Sequence, residues 1–165
     1  ILKPVVAAIN GDAIGQGLEI AMAADIRIAI STAQFGMPQV KYGFIPFDGG
    51  TQRLPRIIGR AHALELLLTG SVVNAAEALR MGLVNRVAEP KHFQSTVDHL
   101  TQHIARTSRL AASYAKEGIM NGMELTLPQS LRLEADLSLL LQSTHDRSEG
   151  IRSFLERRPP GFQGK

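Results

Sequence analysis

The sequence contains no cysteine and no tryptophan among its 165 residues. The absence of cysteine excludes disulfide bonds, thiolate nucleophiles and cysteine-based zinc sites, and it suits a reducing compartment. Aromatic residues make up only 5% of the chain, and the formal net charge is only +3. A nucleic-acid-binding protein usually combines a basic stripe with aromatic side chains that stack on bases. We therefore expect no nucleic-acid partner.

Long apolar runs are also missing. The best candidate for a membrane span is interrupted by Glu19, Asp25 and Arg27, so the sequence predicts no membrane partner. No secretory signal is found, which favours a cytoplasmic location. The chain opens on a strand-like segment, ILKPVVAAIN, without an initiating Met. Because a buried strand is an unusual first element, we expect a piece of a longer polypeptide, and a mitochondrial matrix form stays open.

The hydrophobic pattern predicts strands first and helices later. With 44% apolar and 20% charged residues, the chain fits one globular domain. Residues 5–9 are rich in β-branched side chains and predict a strand buried on both faces; residues 26–30 and 83–88 predict two more. Helices are predicted over residues 49–60, 61–70, 74–82, 127–143 and 148–158, and the apolar stripe Phe93, Val97, Leu100, Ile104 predicts another.

Two features near the start of the chain carry candidate chemistry. Gly15-Gln16-Gly17 follows a strand and opens a helix on which Leu18, Met22 and residues 25–26 share a face. The free N–H groups of a helix N-terminus can hold an anion or a developing oxyanion, although the glycines taken alone more often mark a plain tight turn. Glu19 is either a surface carboxylate that complements the helix dipole or a buried acid or base among apolar neighbours.

Other candidate constellations are weak. His92, His99 and His103 lie on one flank of a predicted helix, but no Asp or Glu shares their stripe, so a solvated flank is favoured and no metal site is predicted. No serine stands in a G-x-S-x-G elbow, which argues against a triad hydrolase. Residues 31–50 form a long passage broken by glycine and proline, which is typical of loops that build a site.

Four stretches together resemble the enoyl-CoA hydratase/isomerase (crotonase) superfamily. They are KPVVAAINGDAIGQGLEIAMAADIRIA, AQFGMPQVKYGFIPFDGGTQRLPRIIGRAHALELLLTG, AAEALRMGLVNRV and DRSEGIRSFLERR. They occur in the family's order and spacing from Lys3 to about Phe162, and correspond to the C-terminal portion of a typical member. The resemblance implies an α/β fold: a ββα spiral, incomplete at its N-terminus, over residues 1–88, and a C-terminal helical trimerisation region over residues 89–165. It also implies a homotrimer or a dimer of trimers (a hexamer).

The same resemblance implies chemistry on an acyl-CoA thioester. In this family two backbone N–H groups polarise the thioester carbonyl, and one of them maps onto Gln16, between Gly15 and Gly17. The other is expected in a segment upstream of residue 1. Coenzyme A would act as a substrate carrier, and no metal or other cofactor is implied.

The resemblance also identifies the proton carriers. Glu19 matches the first of two catalytic glutamates, but the second position is Gln39, in the pair Pro38-Gln39. An amide orients water and cannot give up and regain a proton, so hydration has lost one of its two usual carriers. Asp48 could supply the second carboxylate, although an N-cap on the following helix explains it more simply. The expected function is enoyl-CoA hydration; the alternatives are isomerisation, decarboxylation or hydrolysis with one carboxylate, or a non-catalytic scaffold module.

Overall fold

A computed structural model describes residues 1–165, the whole of the chain. The residues group into two compact units, Val5–Leu100 and Thr101–Lys165, the latter joined by Ile1–Pro4. This grouping follows contacts within the chain, whereas the division predicted between residues 88 and 89 follows the family's architecture and stays a prediction. No helix combines the length and the apolar character needed to cross a bilayer.

The first unit contains two small sheets. Strands β1 (Val6–Ile9), β3 (Ile26–Ile30) and β6 (Arg86–Ala88) form a parallel sheet in the order β1-β3-β6. Strands β2 (Ala13–Ile14) and β4 (Gln34–Gly36) pair in parallel, and β4 pairs antiparallel with β5 (Val72–Asn74). The three strands of the first sheet were predicted, β1 from its β-branched residues and β3 from its alternating pattern. The second sheet was not, because its strands have only two or three residues each.

Strand β1 differs from its prediction. Only Ile9 is buried, Val6 and Ala7 are half-buried, and Ala8 is exposed. The prediction of a strand buried on both faces is therefore wrong. The physical reason is that an apolar run does not specify which faces neighbouring elements cover, and within this chain the face at Ala8 is left open.

The first four helices of the chain follow the predicted positions with shifted ends. They are α1 (Gln16–Met22), α2 (Gly50–Thr69), α3 (Ala75–Arg80) and α4 (Phe93–Ala105). Helix α1 ends before residues 25–26, which were expected on its face, because the Asp25 carboxylate accepts a hydrogen bond of 2.7 Å from the Val5 N–H and the chain enters β3 at once. Helix α2 contains both predicted segments, and Gly59, with φ 78° and ψ 160°, interrupts the helical geometry between them.

The core of the first unit surrounds α1. Leu18, Phe35, Met37 and Leu54 are completely inaccessible to solvent, and Leu66 is 1% exposed. Burying one such side chain stabilises a fold by about 1.5–3 kcal/mol. Because Leu18 and Met37 flank the residues of the candidate site in sequence, the same packing fixes the backbone of that site.

The second unit is helical, with α5 (Arg109–Gly122), α6 (Leu127–Gln142) and α7 (His145–Glu156). Polar residues begin these helices: the Ser108 hydroxyl accepts from the Ala111 N–H, and the Thr144 hydroxyl accepts from the Arg147 N–H. Helix α5 was not predicted, because its sequence RLAASYAKEGIMNG contains two glycines and no clear apolar stripe. Its Ser108 cap was the signal available in the sequence.

Two buried carboxylates hold the C-terminal segment against α7. Asp146 is 2% exposed and accepts hydrogen bonds from the Gln163 and Gly164 N–H groups. Glu149 accepts a bidentate pair of hydrogen bonds from Arg158 and another from the Gly161 N–H. These hydrogen bonds, that from Arg158 foremost, lower the pKa of Glu149 from its ordinary 4.5 to about 2.

The pKa of Asp146 is also lowered. Burial acts to raise this pKa and is the largest single influence on it. The hydrogen bonds from the Gln163 N–H, the Ser108 hydroxyl and the Gly164 N–H together outweigh burial. Both carboxylates therefore favour their charged forms in the folded protein, and both depend on the C-terminal segment for partners.

Candidate active site

The glycine turn before α1 has a conformation that only glycine adopts easily. Gly15 has φ 61° and ψ −124°, and its N–H donates to the Gly36 carbonyl at 2.9 Å. The first helical hydrogen bonds come from the Leu18 and Glu19 N–H groups, both to the Gly15 carbonyl at 3.1 Å. The N–H groups of Gln16 and Gly17 precede these bonds, so they have no acceptor within the helix. They mark the positive end of α1.

Glu19 lies inside the protein, with 1% of its surface exposed. Its Oε1 atom accepts hydrogen bonds from the Gly50 N–H at 2.7 Å and the Asp48 N–H at 2.9 Å. The alternative of a surface carboxylate is therefore wrong. Two backbone donors hold one carboxylate oxygen, which leaves Oε2 as the oxygen available for proton transfer.

Gln39 lies beside the open oxygen of Glu19. Its side chain is buried, and its Nε2 atom is 3.4 Å from Glu19 Oε2. Placing the amide NH₂ group toward a carboxylate is the orientation that allows a hydrogen bond. In that orientation Gln39 Oε1 is a buried acceptor without a partner. A buried polar atom without a partner costs about 1–3 kcal/mol, and such atoms in folded proteins often mark functional sites.

Asp48 contributes to the site through its backbone and lies exposed beside it. Its Oδ2 atom accepts a hydrogen bond of 3.1 Å from Gln16 Nε2, and its carbonyl accepts one of 2.6 Å from Arg53 Nη1. The N-cap of α2 is Gly49, and no side chain caps this helix. The interpretation of Asp48 as an N-cap is therefore wrong. Its role as a second acid stays a prediction.

A cavity of about 340 Å³ opens beside these groups. Gly15, Gln16 and Gln39 lie along it with Ile14, Pro38 and three aromatic side chains, Tyr42, Phe44 and Phe47. The cavity joins the free N–H end of α1 to the buried amide next to Glu19. The sequence analysis missed the aromatic residues. The available signal was their concentration, because three of the eight Phe and Tyr residues of the chain lie within residues 42–47.

Gly50 is a second residue that the sequence analysis missed. A Cβ atom there would lie 2.7 Å from the Pro46 Cβ, 2.8 Å from the Met37 Sδ and 2.9 Å from Glu19 Oε1. Only glycine lets this backbone approach the carboxylate closely enough to donate its hydrogen bond. The paired glycines 49 and 50 were the sequence signal for this contact.

The histidines considered as metal ligands lie apart from the site. His92, His99 and His103 are all exposed on or just before α4, which confirms the predicted solvated flank. No group of three or more His, Asp or Glu side chains is arranged to hold a metal ion.

The sequence family model for enoyl-CoA hydratase/isomerase matches residues 1–165. The chain belongs to the enoyl-CoA hydratase/isomerase family. It is 44% identical over 163 residues to the crotonyl-CoA hydratase of Syntrophomonas wolfei, a match that covers 99% of this chain and 63% of that relative. It is 48% identical over 152 residues to the short-chain-enoyl-CoA hydratase of Clostridioides difficile, a match that covers 92% of this chain and 97% of that relative.

A solved structure of the family shows the same fold. The crystal structure of an enoyl-CoA hydratase from Bacillus anthracis matches with a TM-score of 0.98 at 39% identity, over 99% of this chain and 64% of that one. The α/β crotonase fold predicted from the sequence is confirmed. The chain spans 63% of the S. wolfei hydratase and 64% of the B. anthracis chain.

Proposed function

We propose that the chain carries the catalytic carboxylate of an enoyl-CoA hydratase, which adds water across the α,β double bond of an acyl-CoA thioester. The observation that carries this proposal is Glu19: a buried carboxylate with one oxygen held by two backbone donors and the other beside Gln39. Membership of the family and the hydratase names of its relatives support the reaction class.

The N-terminal end of α1 supplies polarisation in this proposal. The Gln16 N–H, which has no acceptor within the helix, donates to the thioester carbonyl oxygen. As the double bond is attacked, negative charge develops on that oxygen, and a fixed donor at the positive end of a helix stabilises it. Gly15 makes this donor accessible, because its φ of 61° turns the chain into α1 directly before Gln16.

Glu19 Oε2 moves the proton. It takes a proton from water while the water oxygen forms a bond to the β-carbon and the π electrons shift toward the thioester, giving an enolate. The enolate then takes a proton at the α-carbon, which restores the carbonyl and completes the addition of one water molecule. Gln39 orients the water, because its Oε1 atom is a buried acceptor with no partner inside the protein.

The proton for the α-carbon has two sources in this proposal. Glu19 can return the proton that it took, or a second acid can supply one. As that second acid we propose Asp48, whose Oδ2 atom accepts a hydrogen bond from Gln16 Nε2, a residue that lines the cavity. Because Gln39 cannot transfer a proton, the same site with Glu19 alone favours a second candidate function, isomerisation of the double bond. Decarboxylation, hydrolysis and a non-catalytic scaffold remain the further alternatives.

The test is a hydration assay of the full-length protein with crotonyl-CoA, followed by the loss of absorbance of the conjugated thioester and by mass analysis of the 3-hydroxyacyl product. We expect hydration by the parent and a fall of about 10²- to 10⁴-fold in Asp48→Asn, the range for general acid–base catalysis. A β,γ-unsaturated thioester tests isomerisation in parallel. Isomerisation without hydration would replace the first function by the second, and neither reaction would favour the scaffold alternative.

The assembly and the remaining partners are proposed with the same function. We propose coenzyme A as the substrate carrier with no further cofactor, and a homotrimer or dimer of trimers formed through the C-terminal helices. Apolar side chains exposed on α6 and α7 support this assembly, among them Leu139, Leu140, Phe154 and Leu155. Light scattering of the purified protein measures its mass directly. The cytoplasmic location stays a prediction.

A further inference from the structure

Three aromatic side chains stand exposed at the mouth of the cavity. Tyr42, Phe44 and Phe47 are 74%, 47% and 67% exposed. We call residues 42–47 the aromatic loop. In a chain with 5% aromatic residues, a cluster that leaves so much apolar surface in water indicates a contact with another group.

The backbone of the aromatic loop is hydrogen-bonded to two residues of the proposed site. Near its start, the Phe44 N–H donates to the backbone carbonyl of Gln39 at 3.3 Å. Directly after its end, the Asp48 N–H donates to Glu19 Oε1 at 2.9 Å. The backbone that carries the rings is therefore held close to the carboxylate. A group bound against the rings lies next to the proposed site of proton transfer.

The three rings contact one another in series and form one aromatic surface against which a further ring can pack. The centroids of Tyr42 and Phe44 are 6.4 Å apart, as are those of Phe44 and Phe47, with interplanar angles of 31° and 43°. These distances fall within the range in which aromatic pairs attract beyond simple burial. The cavity volume of about 340 Å³ exceeds the roughly 150 Å³ in which an apolar cavity binds benzene.

We propose that the aromatic loop forms the acyl subsite and selects acyl-CoA thioesters that carry an aromatic ring on the β-carbon. This inference rests on the proposed hydratase function, which places the acyl group between Gln16 and Gln39. An aliphatic acyl chain would gain only burial at these rings, whereas an aryl group gains burial and ring–ring attraction.

The test is binding, measured by titration calorimetry with two saturated thioesters that cannot be hydrated. Butanoyl-CoA and 3-phenylpropanoyl-CoA differ in the group on the β-carbon. We expect the phenyl thioester to bind about 10-fold more tightly to the full-length protein, because each ring–ring contact is worth roughly 2- to 12-fold. Phe44→Leu and Phe47→Leu keep an apolar side chain and remove one ring each. Each should reduce the preference by roughly 2- to 12-fold and leave butanoyl-CoA affinity nearly unchanged.

The control is Leu68→Ala. Leu68 is 69% exposed on α2 and is not among the residues that line this cavity, so its substitution should change neither affinity. Equal affinities of the parent for both thioesters, binding of neither, or an equal loss in Phe44→Leu, Phe47→Leu and Leu68→Ala would each overturn the subsite. These probes bind without proton transfer, so the binding test and the hydration assay can give different answers. A phenyl preference without hydration of crotonyl-CoA would support the subsite and contradict the proposed function. Hydration of crotonyl-CoA without a phenyl preference would support the proposed function and contradict the subsite.

Discussion

Replacing Glu19 by Gln should separate catalysis from stability. The glutamine carbonyl can occupy the place of Oε1 and accept from the same two N–H groups, of Asp48 and Gly50. Each of these bonds loses its charged acceptor, at a cost of about 1 kcal/mol, because bonds to charged groups are worth about 1.5–3 kcal/mol and neutral ones about 0.5–1.5. The expected loss is therefore about 2 kcal/mol.

One gain offsets this loss. Burying a charge in the protein interior costs several kcal/mol, and the neutral amide avoids that cost. The new NH₂ group faces Gln39, whose amide can turn so that its Oε1 accepts from it. The turn leaves the Gln39 NH₂ group without a partner in place of Oε1, so this exchange is close to neutral. We expect the free energy of unfolding of Glu19→Gln to equal or exceed that of the parent.

Catalysis should respond in the opposite direction. An amide cannot carry a proton, so the hydration rate should fall by about 10²- to 10⁴-fold, or about 3–5 kcal/mol in the barrier. Glu19→Ala is the contrasting variant: it leaves two buried N–H donors without an acceptor and opens a cavity, and should cost about 2–6 kcal/mol of stability from the donors alone. Because the chain has no tryptophan, far-ultraviolet circular dichroism in urea is the suitable measure of unfolding.

Two results would refute this reasoning. Parental hydration rates in Glu19→Gln would remove Glu19 as the proton carrier. A loss of stability in Glu19→Gln as large as that in Glu19→Ala would show that the charge itself holds the loop, and that the reduced rate reports a disordered site.

Three further predictions follow from the contacts. Gly50→Ala should cost about 1–3 kcal/mol in urea unfolding and lower the hydration rate, since its Cβ would lie 2.9 Å from Glu19 Oε1; a stable, fully active variant would contradict this close packing. Gln39→Glu places two buried carboxylates together, which raises the pKa of one of them, so its melting temperature relative to the parent should fall as pH rises above about 5; a constant difference would argue against their proximity. The Glu149 pKa of about 2 lies below its ordinary 4.5, so its stabilisation of the C-terminal segment is complete above pH 4.5 and is lost as pH falls toward 2. Hydrogen exchange of the Gly161 amide, relative to its intrinsic rate at each pH, should show this loss in the parent. Glu149→Gln has no carboxylate to protonate, so its protection should be weaker and should change little between pH 4.5 and 2.

Local chemistry made much of the fold predictable. Strand β1 follows from a short β-branched run and β3 from an alternating pattern. Helix α3 follows from the Asn74 cap, whose side chain accepts from the Glu77 N–H. Strand β1 shows the limit of such patterns, because an apolar run does not reveal whether a neighbour will cover each face. Whether a short run lies at an edge or in the centre depends on the rest of the sheet.

The sequence predicted which residues belong to the candidate site but not how they are arranged. Family spacing singled out Glu19, Gln39 and Gln16, but the contacts that define the carboxylate come from N–H groups 29 and 31 residues away in the chain. Almost any residue type can supply a backbone N–H donor, so the sequence does not reveal which residues do so. Gly50 is the exception, because only glycine fits at that position. Asp48 shows the same difficulty: a residue type favoured at N-caps stands one position too early, and Gly49, in a left-handed conformation with φ 99°, begins the helix.

The backbone contacts also connect acyl selection to proton transfer. The segment that carries the three rings is the one whose following N–H groups hold Glu19 Oε1, so a shift of its backbone moves the acyl subsite and the carboxylate together. Ring substitutions such as Phe47→Leu leave those N–H groups in place and should act mainly on substrate affinity. A glycine inserted after Phe44 shifts the backbone up to Asp48 and should lower kcat as well as affinity. Substitution of the ring side chains should therefore change the acyl preference with little change in kcat. A change in the length of the loop should change the acyl preference and also slow proton transfer.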